Sequence, residues 1–260
     1  MAIHSELKGK VCLVTGAARK LGAAICRVMA QSGVHLAVNY AHSRREAETL
    51  CCELASAGAA ALALQADVTD PAQVDRLVSQ VWEAMGPIDI LVNNVGTYAD
   101  KPFLDLEPST FAKVMDSNVG STYLVTRAAG RRMKQRGSGV VINVGAADAM
   151  HHSHSVYGLA KLGVSYLTRA LALELAPQVR VNAVAPDLMS DNEDLDPASD
   201  FARSSVAATP MKRLVARAEI AEIVALLCTE SFGFVTGQVL GIDGGRSISR
   251  IAFGPSGWQT

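Results

Sequence analysis

The chain alternates short apolar runs rich in β-branched residues with longer amphipathic stretches, and this alternation restricts its fold more than any other property. The runs "VCLVTG", "VHLAVNY" and "AALALQADV" are separated by "AAICRVMAQSG" and "RREAETLCCELASAG". Strands fed by helices in this order build βαβ units, and hence a parallel sheet covered on both faces. The pattern continues with "PAQVDRLVSQVWEAMG" as helix, "IDILVNN" as strand, one long helix from Pro108 to about Gln135, and "GVVINVG" as strand. A helix near Tyr157–Ala176, the strand "VRVNAVAP", a helix from about Ala216 to Thr229 and a last strand near "QVLGID" complete the series. Seven parallel strands are predicted, joined closely enough to form one doubly wound α/β domain over residues 1–260.

With 260 residues, 49% of them hydrophobic and 19% charged, the chain can bury one sizeable core. A formal net charge of -1 offers no general attraction to nucleic acid or an anionic membrane. The start "MAIHSELKGK" has no apolar signal core, and no apolar run reaches the roughly 18 residues of a membrane span, so a soluble, cytoplasmic protein is expected. Five cysteines, none in a C-x-x-C pair, read as reduced structural thiols. Between Asp187 and about Pro210 the chain turns acidic and poor in bulky apolar residues. An irregular connection there is either a lid over a substrate, assigned to residues 187–215, or a solvated loop.

The first strand runs into "TGAARKLG", where Gly16 and Gly22 flank the entry to a helix. Glycine permits a tight turn and close approach of a phosphate, and a helix N-terminus offers free N–H groups and a positive potential. The second strand ends in "NYAHSRR", with no acid to grip a ribose 2′-hydroxyl. Arg19, Lys20, His42, Ser43 and Arg44 are instead candidates to hold a 2′-phosphate, which favours NADP(H). Further on, "GVVINVG" leads to Tyr157 and Lys161, four positions apart on one helical face. A phenol beside an ammonium suits proton exchange with a carbonyl oxygen, because the positive charge favours the phenolate.

Six segments in order resemble the short-chain dehydrogenase/reductase family over essentially the whole chain. They are "TGAARKLG", Asp67 and Val68, "NNVG" at Asn93 to Gly96, Asn118 in "DSNVG", the Tyr157 and Lys161 pair, and "TGQVLGIDGG". The resemblance implies a single Rossmann domain with a seven-stranded parallel sheet. It implies cofactor contacts from Gly16, Arg19, Lys20, Leu21, Gly22, Tyr40, His42, Ser43, Asp67, Val68, Asn94, Val95, Gly96, Tyr157, Lys161 and Pro186. It also implies that Tyr157 exchanges the proton, Lys161 assists it and grips the nicotinamide ribose, and Asn118 holds a water in a proton relay. A homotetramer or homodimer, paired through the two long helices, and a small-molecule substrate follow from the same resemblance.

Three departures matter. Lys20 replaces the middle glycine of the turn, and together with "DAM" at Asp148 to Met150 it is similar to the pteridine reductases; reductases of β-ketoacyl thioesters share the "VNYA" strand. Asp187 stands where the family has glycine beside the nicotinamide, and there it could bind a polar substrate or weaken cofactor binding. Gly145 and Ala146 occupy the place of the catalytic serine, and neither can donate a hydrogen bond. Loss of one such donor costs on the order of 10²–10³ in rate. Asp148, Ser153 and Ser155 are the available substitutes, and without one the chain would be a weak catalyst serving as an NADP(H)-binding sensor or partner. The histidines of "HHSH" at 151–154 are close enough to chelate, yet no carboxylate or thiol completes a set, so no metal is expected.

Overall fold

The computed structural model describes residues 5–147, 155–193 and 195–247, together with the backbone of 252–254 and 257–259. The strands are β1 (Val11–Val14), β2 (His35–Tyr40), β3 (Ala61–Gln65), β4 (Ile88–Asn93), β5 (Gly139–Val144), β6 (Val179–Pro186) and β7 (Val239–Ile242). They form one parallel sheet in the order β3-β2-β1-β4-β5-β6-β7. Around it lie α1 (Lys20–Gln31), α2 (Arg44–Ser56), α3 (Pro71–Met85), α4 (Pro108–Met115), α5 (Ser121–Arg136), α6 (Val156–Leu175), α7 (Asp200–Ala208) and α8 (Arg217–Leu227).

Strand side chains alternate between two cores. Cys12 and Val14 of β1 join Ile25 and Met29 of α1 and Ile220 and Val224 of α8 on one face. Val11 and Leu13 join Leu77 and Val81 of α3, Val125 and Met133 of α5 and Leu171 of α6 on the other. Because both faces are covered, the strands read as unbroken apolar runs. Strand order reverses between β1 and β4, which opens a crevice at their carboxyl ends, the usual ligand site of such sheets.

The seven strands and their helical partners agree with the sequence reading, and three details differ. The helix expected over Pro108 to Gln135 is interrupted by a π-helical turn, Asp116–Gly120, between α4 and α5. The stretch expected to be irregular contains α7, whose N-cap Ser199 accepts from the Ala202 N–H at 3.1 Å and which buries Ala202 and Ser205. After β7 the backbone forms a short antiparallel hairpin, β8 (Ala252–Gly254) with β9 (Gly257–Gln259), that strand periodicity did not reveal. No helix among the described residues is long and apolar enough to cross a membrane.

Candidate active site

The turn after β1 is built by contacts from two other strands. Asn39 of β2 accepts from the Gly16 N–H at 3.2 Å and donates to the Ala66 carbonyl at 3.1 Å, while its own carbonyl receives the Ala17 N–H at 2.8 Å. Asn94, just past β4, donates to the carbonyls of Thr15 and Gly16 at 3.1 and 3.2 Å, and its N–H reaches Thr15 Oγ1 at 2.9 Å. Gly16 has φ +58, and a Cβ there would lie 2.9 Å from Val95 Cγ2. A Cβ on Gly22 would lie 2.6 Å from the Gly16 carbonyl oxygen and 2.8 Å from Ala17 Cα, so helix and turn pack backbone to backbone. Lys20 takes φ +53, a conformation L residues rarely hold, at the position where the family has glycine. Arg19 and Lys20 are exposed at the start of α1, and Leu21 packs its side chain into the core.

At the end of β2, His42 is exposed and Ser43 half-buried. The Arg44 guanidinium lies 5.9 Å from the centroid of the Tyr40 ring and donates to Gln65 Oε1 at 3.1 Å. Arg19 approaches Glu46 to 3.9 Å. Arg44 also approaches Glu48 to 3.5 Å, so acids of α2 meet both arginines, but no acid of β2 stands at this corner. Asp67 is half-buried with its carboxylate held by Thr69 N–H and Oγ1 at 2.9 and 2.7 Å, whereas the Val68 side chain packs into the core. Pro186 closes the buried end of β6.

Tyr157 and Lys161 project from the first turns of α6, whose N-cap Ser155 accepts from the Gly158 N–H at 3.2 Å. Lys161 is 4% exposed; its Nζ donates to the Val144 carbonyl at the end of β5 at 2.8 Å and lies 5.5 Å from the Tyr157 ring centroid. Burial pulls the Lys161 ammonium down to about 8. Burial, reinforced by the nearby Tyr98, pushes the Tyr157 phenol up to about 12. The expected pull of Lys161 toward phenolate is therefore outweighed by desolvation, which keeps the Tyr157 phenol protonated at neutral pH.

The π-helical turn points Asn118 inward. Its Nδ2 donates to the carbonyls of Val114 and Thr97 at 2.9 and 3.1 Å, while its buried Oδ1 has no hydrogen-bond partner among the described residues. A Cβ on Gly96 would stand 2.2 Å from that Oδ1 and 3.1 Å from Lys161 Nζ, so three of the expected residues meet at one point. An orphaned acceptor beside a buried ammonium is a fitting place for a bridging water. Behind it runs a buried ladder in which Asn93 donates to Thr126 Oγ1 and Asn143 Oδ1, both at 2.8 Å, and Asn143 donates to Thr168 Oγ1 at 2.9 Å. It ties β4 and β5 to α5 and α6 and thereby sets the place of Lys161. Asn39, Asn143 and Thr168 escaped the sequence reading; asparagines inside otherwise apolar strands were the available signal.

Ala146 is half-buried at the position of the absent serine, and Gly145 is buried with its N–H on the Val184 carbonyl at 2.7 Å. Of the three suggested substitutes, Ser155 caps α6, while Asp148 and Ser153 lie outside the described residues, as do His151, His152 and His154. Among the described residues no His, Cys, Asp or Glu group could hold a metal ion. Asp187 is nearly buried and meets Arg246 Nη1 with both oxygens at 3.1 Å, so its charge is already balanced. The acidic stretch is anchored too: Glu193 pairs in bidentate fashion with the buried Arg217 at 2.7 and 2.6 Å, and Asp191 accepts the Arg217 N–H at 3.2 Å. Arg217, with a smaller contribution from Lys20, holds the Glu193 carboxyl down to about 2.

A family model described as Enoyl-(Acyl carrier protein) reductase matches residues 16–247. The chain is 33% identical over 249 residues to a 3-oxoacyl-(acyl-carrier-protein) reductase of Synechocystis sp., an alignment covering 93% of this chain and 98% of that protein. A solved short-chain dehydrogenase/reductase of Serratia marcescens, a double mutant, superposes with TM-score 0.87 at 33% identity, covering 93% of this chain and 99% of the other. A blue fluorescent protein from a metagenomic library, solved in complex with NADPH, superposes with TM-score 0.86 at 33% identity and the same coverage.

Proposed function

Because the chain belongs to the short-chain dehydrogenase/reductase family of oxidoreductases, we propose that it uses NADPH to reduce the carbonyl group of a small molecule, with Tyr157 as proton donor. The observation that carries this reading is the meeting of Gly96, Asn118 Oδ1 and Lys161 Nζ beside a protonated Tyr157 at the carboxyl end of β5. The cofactor fits the residues present. Gly22 lets the start of α1 pack directly on the Gly16–Ala17 backbone, which any side chain there would prevent, and so brings the helix N-terminus to the turn where a pyrophosphate would bind. Arg19, Lys20, His42, Ser43 and Arg44 supply cations and donors, without a competing acid from β2, for a 2′-phosphate. The complex of one structural neighbour with NADPH supports the same choice. Asp67, Val68, Asn94, Val95 and Gly96 would border the adenine and ribose portions, and Lys161 and Pro186 the nicotinamide end. Bound there, NADPH supplies the hydride.

The remaining chemistry belongs to the protein. Tyr157 gives its proton to the carbonyl oxygen as negative charge develops on that atom, and Lys161 stabilises the phenolate left behind. A water between Asn118 Oδ1 and Lys161 Nζ returns the proton from solvent. Residues 187–215 cover the substrate, held at their base by Arg217. A β-ketoacyl type of carbonyl is supported by the name of the Synechocystis relative; the pterin alternative rests on Lys20 and on Asp148. Exposed Leu159, Leu162, Tyr166 and Leu173 recur along one side of α6, a face suited to the pairing of copies into a homodimer or homotetramer.

The test is NADPH oxidation by wild type and Tyr157→Phe across β-ketoacyl thioesters, diketones, dihydropterins and simple ketones. Loss of the phenol proton should lower turnover about 10²–10⁴-fold while NADPH binding persists. Equal rates in both proteins would refute the proton-donor assignment. Absence of turnover in wild type, with NADPH bound, would favour the second reading of a catalytically weak sensor or partner, which rests on Ala146 at the serine position.

A further inference from the structure

Tyr98 lies between β4 and α4, in a segment without regular structure. Its chain neighbour Thr97 is held from both sides: the Thr97 N–H donates to Ser117 Oγ at 3.2 Å, and the Thr97 carbonyl accepts from Asn118 Nδ2 at 3.1 Å. The Tyr98 hydroxyl donates to Asp100 Oδ2 at 3.0 Å. The ring makes an edge-to-face contact with Tyr157, the centroids 5.0 Å apart and the planes at 63°. Yet Tyr98 remains 66% exposed. A single exposed aromatic needs no explanation, but one whose ring rests against Tyr157 has a defined position relative to the reacting group.

A carbonyl oxygen that receives the Tyr157 proton must come within hydrogen-bonding distance of that phenol. Substituents on its carbon then pass within reach of the Tyr98 ring. We propose that Tyr98 is a specificity-determining residue, a fixed aromatic wall that selects carbonyl compounds bearing a planar aromatic substituent next to the reacting carbon over saturated ones of the same size. The inference rests on the reductase reading of the site and adds a substrate class to it. Ring–ring contacts contribute about 0.5–1.5 kcal/mol beyond area burial, equivalent to roughly two- to tenfold in relative rate. A ring already in contact with Tyr157, with its hydroxyl bonded to Asp100, has less conformational freedom to lose when substrate arrives than a ring free in solvent.

The test compares acetophenone with cyclohexyl methyl ketone, which have the same carbon count and differ in the π-face. Tyr98→Leu should lower the ratio of their kcat/KM values roughly two- to tenfold. Tyr98→Phe, which keeps the ring and loses the hydroxyl that bonds Asp100, should leave the ratio near that of wild type. Binding of benzamide and cyclohexanecarboxamide, which mimic these ketones without being reduced, is followed in parallel by saturation-transfer NMR in the presence of NADPH. Tyr98→Leu should weaken benzamide alone. An equal loss for both ketones, or benzamide binding untouched by Tyr98→Leu, overturns the inference. Wild type that reduces neither these ketones nor the other carbonyls refutes the reductase reading instead, and the amide pair still decides whether the aromatic wall exists.

Discussion

Replacing Lys161 by methionine should inactivate the enzyme and, at neutral pH, stabilise its cofactor-free fold. Burial lowers the Lys161 ammonium from 10.5 to about 8. The gap is about two and a half pH units at about 1.4 kcal/mol each, so holding the charge below pH 8 costs the fold about 3 kcal/mol. Since the folded-state value lies below the unfolded one, the unfolded chain binds more protons between about pH 8 and 10.5. Stability therefore rises with pH across that window, and the cost is complete below it. Methionine has similar bulk and no charge, but it abandons the 2.8 Å hydrogen bond to the Val144 carbonyl, a loss of about 1 kcal/mol. The balance is a gain of about 2 kcal/mol at pH 7 and a loss of about 1 kcal/mol above pH 10.5. Urea unfolding of wild type and Lys161→Met at pH 7 and pH 10.5, with protomer concentration held fixed, reads both numbers. A variant less stable than wild type at pH 7, or a difference that does not change with pH, would refute the argument that desolvation controls this lysine.

Two other substitutions probe the departures from the family pattern. Lys20→Gly removes a side chain from φ +53 and should raise the stability of the cofactor-free protein by about 1 kcal/mol. Calorimetric titration should show weaker NADPH binding in that variant, and unchanged affinity would take Lys20 out of the phosphate site. Ala146→Ser restores a hydroxyl at the half-buried position after β5 and should raise kcat on the order of 10²–10³-fold if no other donor serves the carbonyl oxygen. An unchanged or lowered kcat would place that donor elsewhere, with residues 148–154 the first to mutate.

Much of the molecule was legible before any coordinates. Apolar runs of strand length alternating with amphipathic stretches led to the seven parallel strands and to the helices on both faces. Interior helix and strand positions respond mainly to short-range periodicity, which a single sequence displays. Less legible was α7, because the acidic composition of residues 187–200 concealed a helix whose amphipathic face is only nine residues long. The π-helical turn at Asp116–Gly120 also went unread, since the residues on either side continue the same helical period. It is nonetheless this turn, with Val114 and Thr97 binding the Asn118 amide, that leaves Oδ1 facing Gly96 and Lys161.

The amino-acid sequence alone determined the local devices: the glycines of the turn after β1, the missing acid after β2, the four-residue spacing of Tyr157 and Lys161, and the missing hydroxyl at Ala146. Each depends on residues adjacent in the chain or one helical turn apart. Tertiary structure decided the partnerships and the energies. Asp187 finds Arg246 fifty-nine positions away, Glu193 finds Arg217, and Tyr98 comes to rest on Tyr157, none of which has a local signature. The ionisation of the site belongs to the same category. Tyr157 rises and Lys161 falls because distant elements close over them and exclude water, and desolvation is a property of the packed surroundings rather than of the residue or its neighbours in sequence.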